Sequence, residues 1–130
     1  MVQFVNAPDV EALIAIKNGD YGKAGDLLDA ALVYARSDSF TLFLRGLTYL
    51  KAGQADEAIK AFQRPLSLRN VFGPDWLLPL DQLELARAYA LAGDNAQSRL
   101  AYQDLFAMWK DADADFGLLR QAKAEYGRVQ

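Results

Sequence analysis

Gly46-Leu-Thr-Tyr49-Leu-Lys-Ala-Gly53-Gln-Ala-Asp-Glu-Ala58-Ile-Lys-Ala-Phe62 is the stretch that decides the fold. Just before and within it, Phe40, Phe43, Leu47 and Leu50 fall at i, i+3, i+7 and i+10, the spacing of one helix face. Gly53 breaks that period as a glycine beyond a helix C-terminus does. Asp56-Glu57 then open a second helix, where negative charge suits the N-terminal end of the helix dipole. The same punctuation recurs on either side as Asn18-Gly19-Asp20 and Ala92-Gly93-Asp94, so the glycines are spaced by 34 and 40 residues. A recurrence of roughly 20–50 residues marks a chain that uses one supersecondary unit several times.

The residues around the glycines repeat too. Gly46-x-x-Tyr49 and Ala86-x-x-Tyr89 each place a tyrosine four residues before the glycine. After the glycines come Ala24 with Leu28 and Ala31, Ala58 with Phe62, and Ser98 with Tyr102. The spacing predicts helices over about 8–18, 21–35, 39–52, 55–68, 76–92, 95–110 and 116–128. The Ser37-Asp38-Ser39 cluster supplies cap side chains for the third helix, and residues 69–75 form a loop that lengthens the second spacing. Pro8 suits a first helical turn. Pro79 fits if the regular helix begins there, whereas Pro65 is expected to end the fourth helix early. Strand signals are weak throughout.

Composition narrows the chemistry. With 130 residues there is room for one domain, and 52% hydrophobic with 24% charged residues describes a chain that folds. Histidine and cysteine are both absent, which excludes disulfides, Cys–His and Ser–His nucleophilic chemistry and the usual zinc sites. A net charge of -3 with mixed signs argues against binding to a nucleic-acid backbone. No apolar run approaches the ~20 residues of a membrane span, and the first residues lack the pattern of a signal peptide. The expected compartment is the cytoplasm, or the periplasm if the chain is the tail of a membrane-anchored protein.

The order small residue, tyrosine, turn glycine, alanine, aromatic resembles the tetratricopeptide repeat, best matched by Gly46, Tyr49, Gly53, Ala58 and Phe62. Leu85, Ala86, Tyr89, Gly93 and Tyr102 match a further repeat, with Ser98 in place of alanine. Ala12, Gly19, Ala24 and Ala31 match an earlier one, with Ala15 in place of tyrosine. Pro65 stands at a position that is normally alanine, and neither later repeat closes with the family's proline. The resemblance implies an all-α fold, a superhelix of three helix–turn–helix pairs plus a C-terminal capping helix. The repeats would cover about 5–38, 39–72 and 76–112, with the cap at about 116–128, all in one domain over 1–130. The last 50 residues also look like the C-terminal repeat region of bacterial multidomain signalling proteins that carry a Ser/Thr kinase or winged-helix domain. That likeness implies a tail of a longer protein or a free-standing relative, and carries no kinase activity with it.

In this family the first helix of each pair lines a concave groove. Carried over by position, that implies a partner groove of Leu13, Ile16, Lys17, Phe40, Phe43, Leu47, Leu50, Lys51, Leu83 and Arg87, with Leu80 and Leu91 beside them. It is apolar with a basic edge, and it would take a peptide or helix from a protein partner, with a second copy of this chain as another occupant. The family's carboxylate clamp is absent, because Asp9, Leu13, Leu44, Leu80 and Glu84 stand at its positions.

Other motifs have plainer readings. Asp111-Ala-Asp113-Ala-Asp115 opens like a calcium loop, but Phe116 and Ala122 stand where glycine and glutamate are required, so it reads as a solvated linker with a helix cap. Asp115-Phe116-Gly117 spells the kinase magnesium triplet without the rest of a kinase, and Gly22-Lys23 lacks the rest of a phosphate loop. Glu84 and Arg87, three apart, read as a surface ion pair. Tyr49, Phe62, Tyr89 and Tyr102 read as core, as does the Tyr102, Phe106, Trp109 stripe, with Trp109 locking the last helix through Leu119, Ala122 and Tyr126. The opposite side of that helix carries Arg120, Lys123 and Arg128, as expected of a cap. No polar set has catalytic spacing. The expected function is therefore a non-catalytic protein-interaction module without a cofactor or metal, and the alternative is a structural, self-associating repeat.

Overall fold

The computed structural model describes residues 7–34, 39–67, 78–110 and 117–130. Every regular element among them is helical: α1 (Ala7–Lys17), α2 (Tyr21–Tyr34), α3 (Ser39–Lys51), α4 (Ala55–Ser67), α5 (Leu78–Leu91), α6 (Asn95–Met108) and α7 (Gly117–Val129). No end departs by more than two residues from the ranges that periodicity predicts. The exception in kind is Pro65, which does not stop α4 early, since the helix runs to Ser67. In a last turn the missing N–H removes one hydrogen bond from an end already short of them, so the helix survives its proline.

One turn is built three times. Gly19, Gly53 and Gly93 have φ of 79°, 82° and 83°, the left-handed region where a side chain would add strain. The N–H after each glycine reaches five residues back, from Asp20 to the Ala15 carbonyl (2.8 Å), from Gln54 to Tyr49 (2.9 Å) and from Asp94 to Tyr89 (3.0 Å). Each glycine N–H bonds three residues back, to Ile16, Leu50 and Ala90, which completes a Schellman cap. The next helix starts at once. Asp20 and Asp94 accept from the Lys23 and Gln97 N–H groups at 3.2 Å, capping α2 and α6. The tyrosines of the repeat thus mark the carbonyl that the turn closes on. The Ser37-Asp38-Ser39 caps and the loop at 69–75 fall largely outside the described residues.

Two compact units arise, Met1–Ala61 and Phe62–Gln130, with the boundary inside α4. In the first, α1 and α2 form a hairpin and α3 packs on both. Its core joins Ala12, Ala15 and Ile16 of α1, Ala24 and Leu28 of α2 and Leu44 of α3. In the second, α5 packs on α6 and α6 on α7. There the core joins Leu83 and Ala86 with Ala101, Tyr102, Leu105, Ala122 and Val129. Phe106, Trp109, Leu118 and Tyr126 pack against it. The rings of Tyr102, Phe106 and Tyr126 form an aromatic trio with centroids 5.5–6.4 Å apart.

The alanine position after each glycine is sealed: Ala24, Ala58 and Ser98 are all 0% exposed. Ser98 tolerates this because its hydroxyl donates to the Ala86 carbonyl across the hairpin at 2.8 Å. The aromatic position divides. Phe62 and Tyr102 are buried, as read, but Tyr49 and Tyr89 are half-buried, because each hydroxyl reaches a polar partner at the surface. Arg45 Nη2 donates to Tyr49 Oη at 3.0 Å, and Gln63 Nε2 donates to Tyr89 Oη at 2.6 Å. Phe62→Ala is expected to cost about 3–5 kcal/mol, the range for a buried aromatic, read as a lowered denaturation midpoint. Tyr89→Phe should stay within about 1 kcal/mol, because its hydroxyl is not sealed in.

Candidate functional site

The residues of the expected groove are divided between the two units. In the first unit Ile16 belongs to the interior at 7% exposure, while Leu13, Phe43 and Leu47 are half-buried with one side on the same core. Leu50 is half-buried, Lys17 and Lys51 are exposed, and Phe40 lies in the first turn of α3 with its side chain outside the described set. Leu13, Phe43, Leu47 and Leu50 therefore keep apolar surface in reach of solvent, whereas Ile16 does not.

Sequence reasoning missed the most open apolar residues on α1. Val10 is 42% exposed and Ile14 54%, on the side away from Ala12, Ala15 and Ile16. A signal was there: Val10, Ala12, Leu13, Ile14, Ala15 and Ile16 together surround the helix, so no single interface could bury them all.

In the second unit the structure corrects three assignments. Leu83 is 1% exposed within the core and lines no surface, because α6 and α7 close over it. Arg87 is no rim charge. Its Nε and Nη2 make paired bonds to Glu125 Oε1 (2.9 Å) and Oε2 (2.8 Å) of α7, and its Nη1 pairs with Glu84. Glu84 is 5% exposed and Arg87 half-buried, so the Glu84–Arg87 pair is sheltered and is no open surface contact. Leu80 is half-buried and Leu91 exposed.

Tyr102 completes the cluster by donating to Glu125 Oε1 at 2.7 Å. Burial alone would raise the Glu125 pKa, but the bonds from Arg87 and Tyr102 outweigh it and hold the carboxyl below its ordinary value. Burial also opposes the Arg87 charge, yet the bond to Glu125 and the field of both carboxylates keep the guanidinium protonated more firmly than usual. Burial and the Glu125 bond push the Tyr102 phenol well above its ordinary range. The cluster joins three helices, and Arg87 and Glu125 both stay charged near neutrality.

A second charged arrangement, which sequence reasoning did not find, lies in the first unit. Arg45 of α3 pairs with Asp29 of α2, and its guanidinium carbon sits 5.6 Å from the centre of the Tyr49 ring. These residues border a cavity of about 340 Å³ between α2 and α3.

No group of three or more Asp and Glu suited to a metal occurs among the described residues. Asp111, Asp113 and Asp115 lie outside them. Among the described residues no helix is long and apolar enough to cross a membrane. The sequence matches no protein-family model and no curated protein.

The charged cluster yields a signed pH prediction. A carboxyl with a lowered folded pKa adds stability above its unfolded value, about 4.5, and loses it as pH falls through the folded value. Arg87→Ala should cost about 3–5 kcal/mol at neutral pH by removing the guanidinium that bonds both Glu84 and Glu125. In that variant burial raises the Glu125 pKa, so the cost should shrink as pH is lowered toward 4.5. Denaturant titrations of both proteins at several pH values measure this, and a cost that is constant with pH would refute it.

Proposed function

We propose that this chain is a non-catalytic protein-interaction module of the tetratricopeptide type, with its partner surface on α1 and α3 of the first unit. The observation that carries the reading is the threefold use of one glycine-centred turn at Gly19, Gly53 and Gly93, each with a sealed small residue five positions on. Such repeats act by presenting helix faces rather than by assembling reactive groups. The apolar surface kept by Leu13, Phe43, Leu47 and Leu50 supports a helix or extended apolar peptide as partner. Lys17 and Lys51, both exposed, would favour acidic residues on that partner, chiefly through association rate. A place in a larger bacterial signalling protein accords with the same resemblance.

A second reading has its own support. Val10 and Ile14 are open on the outer side of α1, as in a repeat whose next neighbour is missing, which favours self-association or a longer stack. Two double variants separate these readings. Phe43→Ser with Leu47→Ser is expected to abolish partner capture from the native host while the melting curve stays cooperative. Val10→Ser with Ile14→Ser should stay within about 0.5 kcal/mol of the parent and, in the second reading, lower the sedimenting mass. Collapse of the fold in the first variant would make that stripe core. An unchanged mass in the second would refute self-association through α1.

A further inference from the structure

The cavity of about 340 Å³ between α2 and α3 lies on residues the proposed partner surface does not use. Its α2 wall carries Gly22, Gly25, Asp26 and Asp29, and its α3 wall Arg45, Thr48 and Tyr49. Tyr21 lines it too, with part of its ring against the first unit's core. Nothing inside the chain accounts for the glycines. Both sit within a helix, neither has the positive φ that glycine serves, and a Cβ built on either meets no atom within 4 Å. Inside a helix glycine is a poorer choice than alanine, so Gly25 facing open space keeps a wall low at the expense of the helix, and Gly22 in the first turn extends that low wall.

The walls have a consistent chemistry, already displayed by one internal group. The Arg45 guanidinium rests between a carboxylate, Asp29, and a tyrosine ring, Tyr49, and donates to that tyrosine's hydroxyl at 3.0 Å. Carboxylate plus aromatic face is the combination that holds organic cations. The cavity contains the same two groups a second time, as Asp26 and Tyr21. Asp26 is exposed and Tyr21 half-buried. With Asp29 answered by Arg45, the charge left over is that of Asp26, which favours a cation over an anion. The net charge of -3 over the whole chain has the same sign.

We propose that this crevice binds a lysine or arginine side chain presented by a peptide. The ammonium or guanidinium would lie against Asp26 and the Tyr21 ring, and the peptide backbone would approach α2 across Gly22 and Gly25. The site shares α3 with the proposed partner surface but none of its residues, so either can fail without the other.

The test uses the full chain labelled with ¹⁵N and three capped tripeptides: acetyl-Gly-Arg-Gly-amide, acetyl-Gly-Lys-Gly-amide and acetyl-Gly-Glu-Gly-amide. Saturable shifts of the Gly22 and Gly25 amides are expected with the arginine or lysine peptide and not with the glutamate peptide. Asp26→Asn should weaken that binding about threefold to fivefold, as loss of one exposed charge partner does, and added salt should weaken it too. Gly25→Leu, which fills the crevice, should abolish it. Gly25→Ala should raise the melting temperature, because it replaces glycine in a helix with alanine. No saturable shift at these amides, an equal response to the glutamate peptide, or full affinity in Asp26→Asn would each overturn the proposal. Asp26→Asn, at an exposed position, decides the matter even if Gly25→Leu does not fold.

Discussion

Ending one helix and starting the next within three residues constrains nearly everything else in this chain. Five-residue-back bonds from Asp20, Gln54 and Asp94 close the turns, and they form only if the preceding glycine adopts a left-handed backbone. A turn so short brings the two helices side by side without room to adjust. Their facing residues must then be small where the axes approach most closely. That explains why Ala12 and Ala86 before the turns, and Ala24, Ala58 and Ser98 after them, are sealed from solvent. Turn and crossing residues are one constraint, which is why they recur together in the sequence.

This coupling also explains what could be read in advance. Helix ends depend on local chemistry, such as the glycine φ, the aspartate caps and the 3.6-residue period, so they were legible to within two residues. Local signals read Pro65 wrongly, since a proline in the last turn removes only one hydrogen bond and α4 runs on to Ser67. Surface and core were harder to separate. Ile16 and Leu83 carry the same residue types as Leu13 and Leu47, and only the fold decides which of them is covered. The Arg45–Asp29 pair spans 16 positions and follows no periodicity. The cavity beside it depends on what the glycines leave out, which no apolar pattern reports.

The charged cluster of the second unit was legible in part, through the repeat itself. With the 40-residue spacing of Gly53 and Gly93, Glu84 corresponds to Leu44 and Arg87 to Leu47. Leu44 is buried in the first unit's core, so a carboxylate at the corresponding place had to be interior as well. Reading the pair as a surface i,i+3 contact ignored that correspondence. The partner that makes burial tolerable, Glu125, stands 38 residues beyond Arg87 and could not be inferred from spacing.

Replacing an apolar pair by charges has a structural consequence. Leu44 and Leu47 can rest against any apolar neighbour in many near-equivalent ways. An arginine with two carboxylates cannot, because an interior charge without its partner costs several kcal/mol. Arg87 accepts only an α7 placement that brings Glu125 into its paired geometry, and Tyr102 donates to the same carboxylate. Arg99 adds a bond to the Val129 carbonyl at 2.7 Å, and Gln103 one to the Tyr126 hydroxyl at 3.0 Å, both from α6 to α7. Apolar packing by Leu105, Ala122 and Val129 draws α7 onto its neighbours without fixing how far it slides or turns. The polar bonds supply that choice. The last helix is thus held by hydrophobic burial and aligned by charge, and the charge that aligns it is no longer available to meet a partner.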